Sequence, residues 1–389
     1  MPSAAELFDP DAVAQPHAVY QRFHNECPVA RLEDADGLVL LTRYEDVHHA
    51  FRQPEIFSSG MEAAQIGQDR PLIPLQIDPP EHSKYRRLLD PHFSPKQVAT
   101  LEDDARKLVA ELVDGFASRG ECDLHAEFTE PLPSTIFLAL MGLPQSDLPE
   151  FLKWKDAIVR PDVEPGDVEG AERARKEAGK GIYAYFDAAI DQRVANPDDG
   201  LFTRLLTCEI DGRTLTRDEI LDISYLLLLG GLDTVTATLD CSFAWLAQHP
   251  EARTGLGDDP QQTNVVVEEL LRHQTPVAMV LRVAAQDTTV NGVELRKGDH
   301  ISLLIGASNA DESEFDRAHE VNFERGANRH LAFGGGPHRC LGSHLARLEL
   351  RVALEEFHRR IPDYSLAPDA ELRYSGGIRQ LVSLPLVLG

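Results

Sequence analysis

Apolar residues recur at three- and four-residue spacing along most of the chain. This predicts amphipathic helices over roughly 95–120, 127–142, 145–160, 168–196, 216–249, 261–273 and 340–361. Strand-like alternation is confined to 28–42, 280–304 and the C-terminal tail. Few strand signals among many helical ones predict a mainly α fold, a helical domain with small β-sheets. No repeat or Gly/Ser linker interrupts the pattern, so residues 1–389 read as a single domain. Two irregular stretches, 58–77 and the Pro/Gly/Asp-rich 160–170, are long enough to be functional lids.

The segment 216–249 breaks the amphipathic rule. Thr216 and Glu219 form a capping-box start and His249-Pro250 a stop, but the residues between are apolar on nearly every side. Such a helix belongs in the protein interior. Its centre nevertheless holds Gly230-Gly231, costing about 1 kcal/mol each relative to alanine, followed at once by Asp233-Thr234. Local rules fail most often at functional sites.

Composition narrows the partners. Of 389 residues, 64 are acidic and 38 basic, a net charge of −26 that argues against nucleic acid or an anionic membrane as a global partner. The N-terminal MPSAAELFDP has no signal-peptide character and no run reaches about 20 continuous apolar residues, so a cytoplasmic protein with no membrane span is expected. The five cysteines, Cys27, Cys122, Cys208, Cys241 and Cys340, are scattered without a CxxC pair and read as reduced thiols.

Cys340 has an unusual neighbourhood. Residues 333–342 read Phe-Gly-Gly-Gly-Pro-His-Arg-Cys-Leu-Gly and lead into a strong helix. Three glycines would let the backbone lie flat against a large planar group. A cysteine at a helix start is placed where the dipole and free N–H groups favour thiolate, and a thiolate is a ligand for iron. Phe333, Gly336, His338, Cys340 and Gly342 match every fixed position of the cytochrome P450 haem-binding signature, FxxGx(H/R)xCxG. The chain thus resembles the bacterial, soluble, ferredoxin-dependent members of that family from about residue 78 onward.

The resemblance implies one haem b, with Cys340 as the metal ligand and Gly334 in its cradle. It implies a Glu269/Arg272 pair completed by Arg325, and propionate contacts from His82, Arg86, Arg282, His330 and His338. Gly230 to Thr234 resembles the oxygen-activation motif, the glycines making room for dioxygen, Thr234 hydrogen-bonding to it and Asp233 relaying protons. The implied reaction inserts one atom of O2 into a small-to-medium hydrophobic substrate. Electrons come from NAD(P)H through a separate ferredoxin reductase and ferredoxin, the latter docking on a basic patch of Lys84, Arg87, Arg339, Arg347 and Arg351. No flavin or iron–sulfur motif is found in this chain, and a monomer is expected. The pocket is expected to be lined by Met61, Leu72, Ile73, Leu229, Gly230, Val277, Val280 and Ile378. GGLDTV is similar to the string of bacterial camphor hydroxylase, but Arg70 falls where that enzyme has its ketone-binding tyrosine. A peroxide-driven oxygenase and a non-catalytic haem protein are the alternative readings.

Overall fold

The computed structural model describes residues 3–164 and 167–389; Pro165 and Gly166 of the 160–170 stretch lie outside the described residues. The principal helices are α1 (His17–Glu26), α2 (Tyr44–Phe51), α3 (Glu81–Leu89), α4 (Glu102–Asp114), α5 (Pro131–Met141) and α6 (Leu148–Val159). After them come α7 (Val168–Ala195), α8 (Arg217–Leu232), α9 (Thr234–Gln248), α10 (Pro260–Gln274) and α11 (Ser343–Arg360). The strands used below are β1 (Val29–Leu32), β2 (Leu38–Leu41), β3 (Phe57–Ser58), β4 (Glu121–Asp123), β5 (Val280–Ala284), β6 (His300–Leu303), β7 (Tyr364–Leu366) and β8 (Pro385–Leu388). They form one five-stranded sheet in the order β1-β2-β6-β5-β3 and one three-stranded sheet in the order β7-β8-β4. Among the described residues only β6 and β2 pair in parallel, and Ile301 of β6 stands opposite Arg282 of β5.

Two large apolar clusters carry the helices. One joins α4, α9, α10 and α11 through residues such as Val109, Phe243, Val266 and Phe357. The other joins α5, α6, α7 and α8 through Phe137, Phe151, Phe186 and Leu228. The apolar segment expected as one helix over 216–249 is therefore two, α8 in one cluster and α9 in the other, meeting at Asp233. Its length and hydropathy would suit a membrane span, but two-thirds of its most apolar window is packed inside protein. The Thr216/Glu219 capping box is present at its start.

Several histidines are folded into dry surroundings. Burial, then His273, His319 and two arginines, push His17 down to about 2. Burial likewise holds His273 and His358 at about 4. Each binds a proton more readily unfolded than folded, so the folded state loses stability as pH falls from 6.5 toward 4. The slope is at most about 1.4 kcal/mol per pH unit for each group. Urea midpoints should therefore drop steeply between pH 7 and pH 5; a midpoint flat across that interval would contradict this assignment.

Candidate active site

The cysteine loop is shaped by its own backbone. The Cys340 N–H donates to the Phe333 carbonyl at 2.9 Å and that of Gly334 to Leu331 at 2.7 Å. Gly334 and Gly336 take left-handed φ values of +65° and +62°. The glycines answer to α2: a Cβ on Gly336 would lie 2.0 Å from the Phe51 carbonyl oxygen, and those on Gly334 and Gly335 would touch the Phe51 ring. Close approach to α2 is thus a demand on these glycines in addition to the planar group expected from the sequence. The next helix begins at Ser343 with Gly342 at its N-cap, so Cys340 lies just ahead of the helix.

Cys340 is accessible on one side and ringed by protein at longer range. Loss of water around the sulfur raises the thiol above its ordinary value, and the Gly342 N–H with Arg86, Arg339 and Arg347 only partly offset this. The helix start therefore does not make a thiolate unaided. A bound metal ion would supply the missing charge, since a coordinating thiol is deprotonated outright.

Around the loop lies a set of cations and imidazoles without enough acid. Arg282, on β5 and 6 % exposed, has one hydrogen bond among the described residues, to the Leu281 carbonyl at 2.7 Å, and no carboxylate partner. Burial pulls it down to about 10, so it is still charged at neutral pH. The His82 ring lies 4.3 Å from that of His338, and its Nδ1 has no partner. His338 Nε2 meets Asp78 at 3.2 Å. A buried guanidinium near His338, with the orphaned His82 imidazole on the other side of that ring, calls for an anion with acceptor oxygens. Haem propionates fit that demand, so these residues fit the cofactor.

Two expected propionate partners are committed elsewhere. His330 is corrected outright: its Nε2 pairs with Glu268 at 3.0 Å and its Nδ1 accepts the Ala332 N–H at 3.2 Å. Arg86 donates to Asp90 at 2.7 Å and to the Arg339 carbonyl at 2.6 Å, bracing the loop beside Cys340. The expected basic patch is also reduced. Lys84 pairs with Glu81 and Asp211, Arg347 with Glu268, and Arg351 with Glu102 and Glu355. Among the described residues only Arg87 and Arg339 of that set lack a carboxylate partner. Arg347 also covers the Phe333 ring at 4.3 Å.

Behind the loop, Glu269 and Arg272 are 1 % exposed and bonded at 2.7 and 2.9 Å. Arg325 closes on Glu269 at 3.1 Å. The remaining Arg272 donors take the carbonyls of Asn309, Ala318 and Glu320 at 2.7–2.8 Å. Asn322 N–H and Asn328 also donate to Glu269, partners that helical spacing could not reveal. Burial raises Glu269, but the bonds from Arg272 and its neighbours outweigh this and hold it below the usual carboxylate range.

On the central helix the ladder stops at Asp233, and the Thr234 hydroxyl donates to the Gly230 carbonyl at 2.9 Å. Gly230 is exposed, with no atom within 4 Å of where its Cβ would stand, and Leu226, Leu227, Leu229 and Thr234 are half-buried beside it. Gly231 differs: its Cβ would fall 2.8 Å from the Phe137 ring, so it serves helix packing and leaves Gly230 alone to open space. Leu341, next to Cys340, packs against the apolar cluster that also holds Leu228 and Leu232.

Asp233 is fully buried between two cations that sequence reasoning missed. Lys155 Nζ, itself fully buried on α6, lies 3.5 Å away, and Arg160 Nη1 lies 3.4 Å from both carboxylate oxygens. Lys155 inside α6 and Arg160 at its C-cap left only a weak local signal, because both sit where surface charges are usual.

Of the expected pocket residues, Met61, Leu229, Val277, Val280 and Ile378 are half-buried and Gly230 is exposed. Val277 pairs with Ile378, joining two of these walls. Leu72 is corrected: it is 0 % exposed, locked in the core with its N–H on Gln76, and Ile73 at 8 % is nearly as enclosed. Arg70 points to acids instead, reaching Asp222 at 3.1 Å and Asp218 at 3.2 Å.

Comparison with known proteins agrees with this geometry. The family model described as Cytochrome P450 matches residues 11–259 and 260–360. The chain is 35 % identical over 364 residues to a steroid C26-monooxygenase of Mycolicibacterium smegmatis, covering 92 % of this chain and 89 % of that protein. It is 34 % identical over 373 residues to a mycinamicin IV hydroxylase/epoxidase of Micromonospora griseorubida, covering 92 % of each. CYP109E1 from Bacillus megaterium in complex with testosterone superposes with a TM-score of 0.90 at 27 % identity, over 97 % of this chain and 99 % of that one. With a glycine-bound cysteine loop, a braced Glu269/Arg272 pair and a central helix opened at Asp233, this chain belongs to the bacterial cytochrome P450 family and is a haem monooxygenase.

Proposed function

We propose that this enzyme hydroxylates a small-to-medium hydrophobic substrate, drawing electrons from NAD(P)H through a separate ferredoxin and its reductase. The balance is RH + O2 + NAD(P)H + H+ giving ROH + H2O + NAD(P)+. The cofactor is proposed to be haem b held by Cys340, and when bound it supplies the iron at which dioxygen is reduced and cleaved. The chain supplies the rest. Arg282, His82 and His338 would anchor the propionates. Gly230 leaves space beside Thr234, whose hydroxyl holds a proton at the break in the helix. Asp233 accepts protons from the direction of Arg160, which is a quarter exposed and so reaches water. The half-buried aliphatic side chains Met61, Leu229, Val277, Val280 and Ile378 suit an apolar substrate, as do the steroid and testosterone in the names of its relatives. Arg87 and Arg339 are the cations left to meet an acidic ferredoxin. We place the enzyme in the cytoplasm as a monomer of one domain.

The observation that carries this reading is Asp233, wholly buried at a helix break beside Thr234 and linked outward through Arg160. A haem protein without catalysis has no use for a buried acid there, and a peroxide-driven enzyme needs no proton relay. Thr234→Ala should lower product per NAD(P)H consumed by about tenfold, a modest share of what general acid–base groups contribute, with hydrogen peroxide making up the difference. Unchanged coupling, or wild-type turnover with peroxide alone and none with NAD(P)H, ferredoxin and reductase, would overturn the reading.

A further inference from the structure

We propose that Gln380 is a positioning residue of the proton relay, holding Arg160 away from a tight pair with Asp233. The proposal rests on the monooxygenase reading. Arg160 donates to Asp156 at 2.6 Å and, through Nη1, to Gln380 Oε1, whereas its approach to Asp233 is 3.4 Å. Lys155 follows the same rule: Glu130 at 2.8 Å and Asp156 at 3.2 Å are nearer to it than Asp233 at 3.5 Å. The two cations are thus claimed first by other acceptors. Asp233 is left with loose contacts, free to turn and pass a proton without first breaking a close ion pair.

Gln380 is placed for this by the turn before β8. Ser375 binds the Gln380 carbonyl through both its N–H and its hydroxyl, closing the turn. Ile378, two residues back, pairs with Val277 in the pocket wall. The side chain is 1 % exposed and its Nε2 has no partner. Arg160 has only donors to offer, so the amide must turn its oxygen to it. The unsatisfied donor carries a desolvation cost, and the bond that Gln380 Oε1 accepts from Arg160 is what this side chain makes in that position.

The test compares Gln380→Leu, which removes the acceptor, with Gln380→Glu, which keeps an oxygen for Arg160. In Gln380→Leu, Arg160 closes on Asp233. Product per NAD(P)H should then fall about fivefold and the solvent isotope effect on turnover about double, within the range of general acid–base effects. Optical substrate affinity and peroxide-driven turnover should not change. Infrared difference spectra of resting enzyme against the Asp233→Asn background should show the Asp233 carboxylate bands shifted in Gln380→Leu and unshifted in Gln380→Glu, which should also recover coupling. Wild-type isotope effect and carboxylate bands in Gln380→Leu would overturn the proposal, as would Gln380→Glu being equally impaired. Absence of any product from the wild type would instead defeat the monooxygenase reading, while the infrared comparison would still decide the role of Gln380.

Discussion

Cys340→Ser is expected to abolish monooxygenation while leaving the polypeptide folded. The loop's path depends on the left-handed glycines, their contact with Phe51 and the Cys340 N–H bond to Phe333, none of which involves the sulfur. A serine of nearly equal size therefore fits, and the loss of folding stability should be within about 1 kcal/mol. The chemistry is another matter. A serine oxygen does not release electron density to iron as a thiolate does, and that release is what favours cleavage of dioxygen. Turnover should fall by at least about a thousandfold, corresponding to roughly 4 kcal/mol of barrier. The reduced, carbon-monoxide-bound protein should also lose the red-shifted Soret band of thiolate ligation. A variant that kept that band would show that Cys340 is not the ligand.

How much of this was legible in the sequence depends on the range of the interaction. Helix and strand positions followed from periodicity, since 168–196 and 340–361 are amphipathic along their whole length and were observed at Val168–Ala195 and Ser343–Arg360. The Glu269/Arg272 pair could be read because three-residue spacing puts both on one face of α10. What failed was tertiary. His330 has the right residue type for a propionate, but α10 brings Glu268 to it, and a partner 62 positions away leaves no local trace. The basic patch shrank for the same reason, its arginines and lysine meeting acids from α4, α10 and the turn at Asp211. The break in the central helix had a signal, glycines followed by Asp-Thr. The cations that flank it did not, because Lys155 and Arg160 reach Asp233 across some 75 residues of chain.

Arg272 should be the least replaceable residue outside the cysteine loop. It has 0 % side-chain exposure and satisfies Glu269 together with three backbone carbonyls from the segment that leads to the cysteine loop. In Arg272→Leu, Glu269 keeps Arg325 and Asn328 but loses its closest partner, and breaking a buried pair this way costs about 3–5 kcal/mol. The carbonyls of Asn309 and Ala318 lose their donor as well, at about 1–3 kcal/mol for each that water cannot reach, and that of Glu320 keeps only Arg325 at 3.5 Å. Together these approach the roughly 5–15 kcal/mol by which a domain is stable. The expected product is therefore a chain that does not retain haem, with a collapsed urea midpoint. Arg272→Lys separates charge from geometry. An ammonium keeps the positive charge beside Glu269, but it cannot present the planar fork that serves two carboxylate oxygens and three carbonyls at once. Lysine should consequently retain little more haem than leucine does. Stoichiometric haem in Arg272→Lys would mean that charge alone braces the segment, and that the bonds to 309, 318 and 320 contribute nothing to holding the cysteine loop.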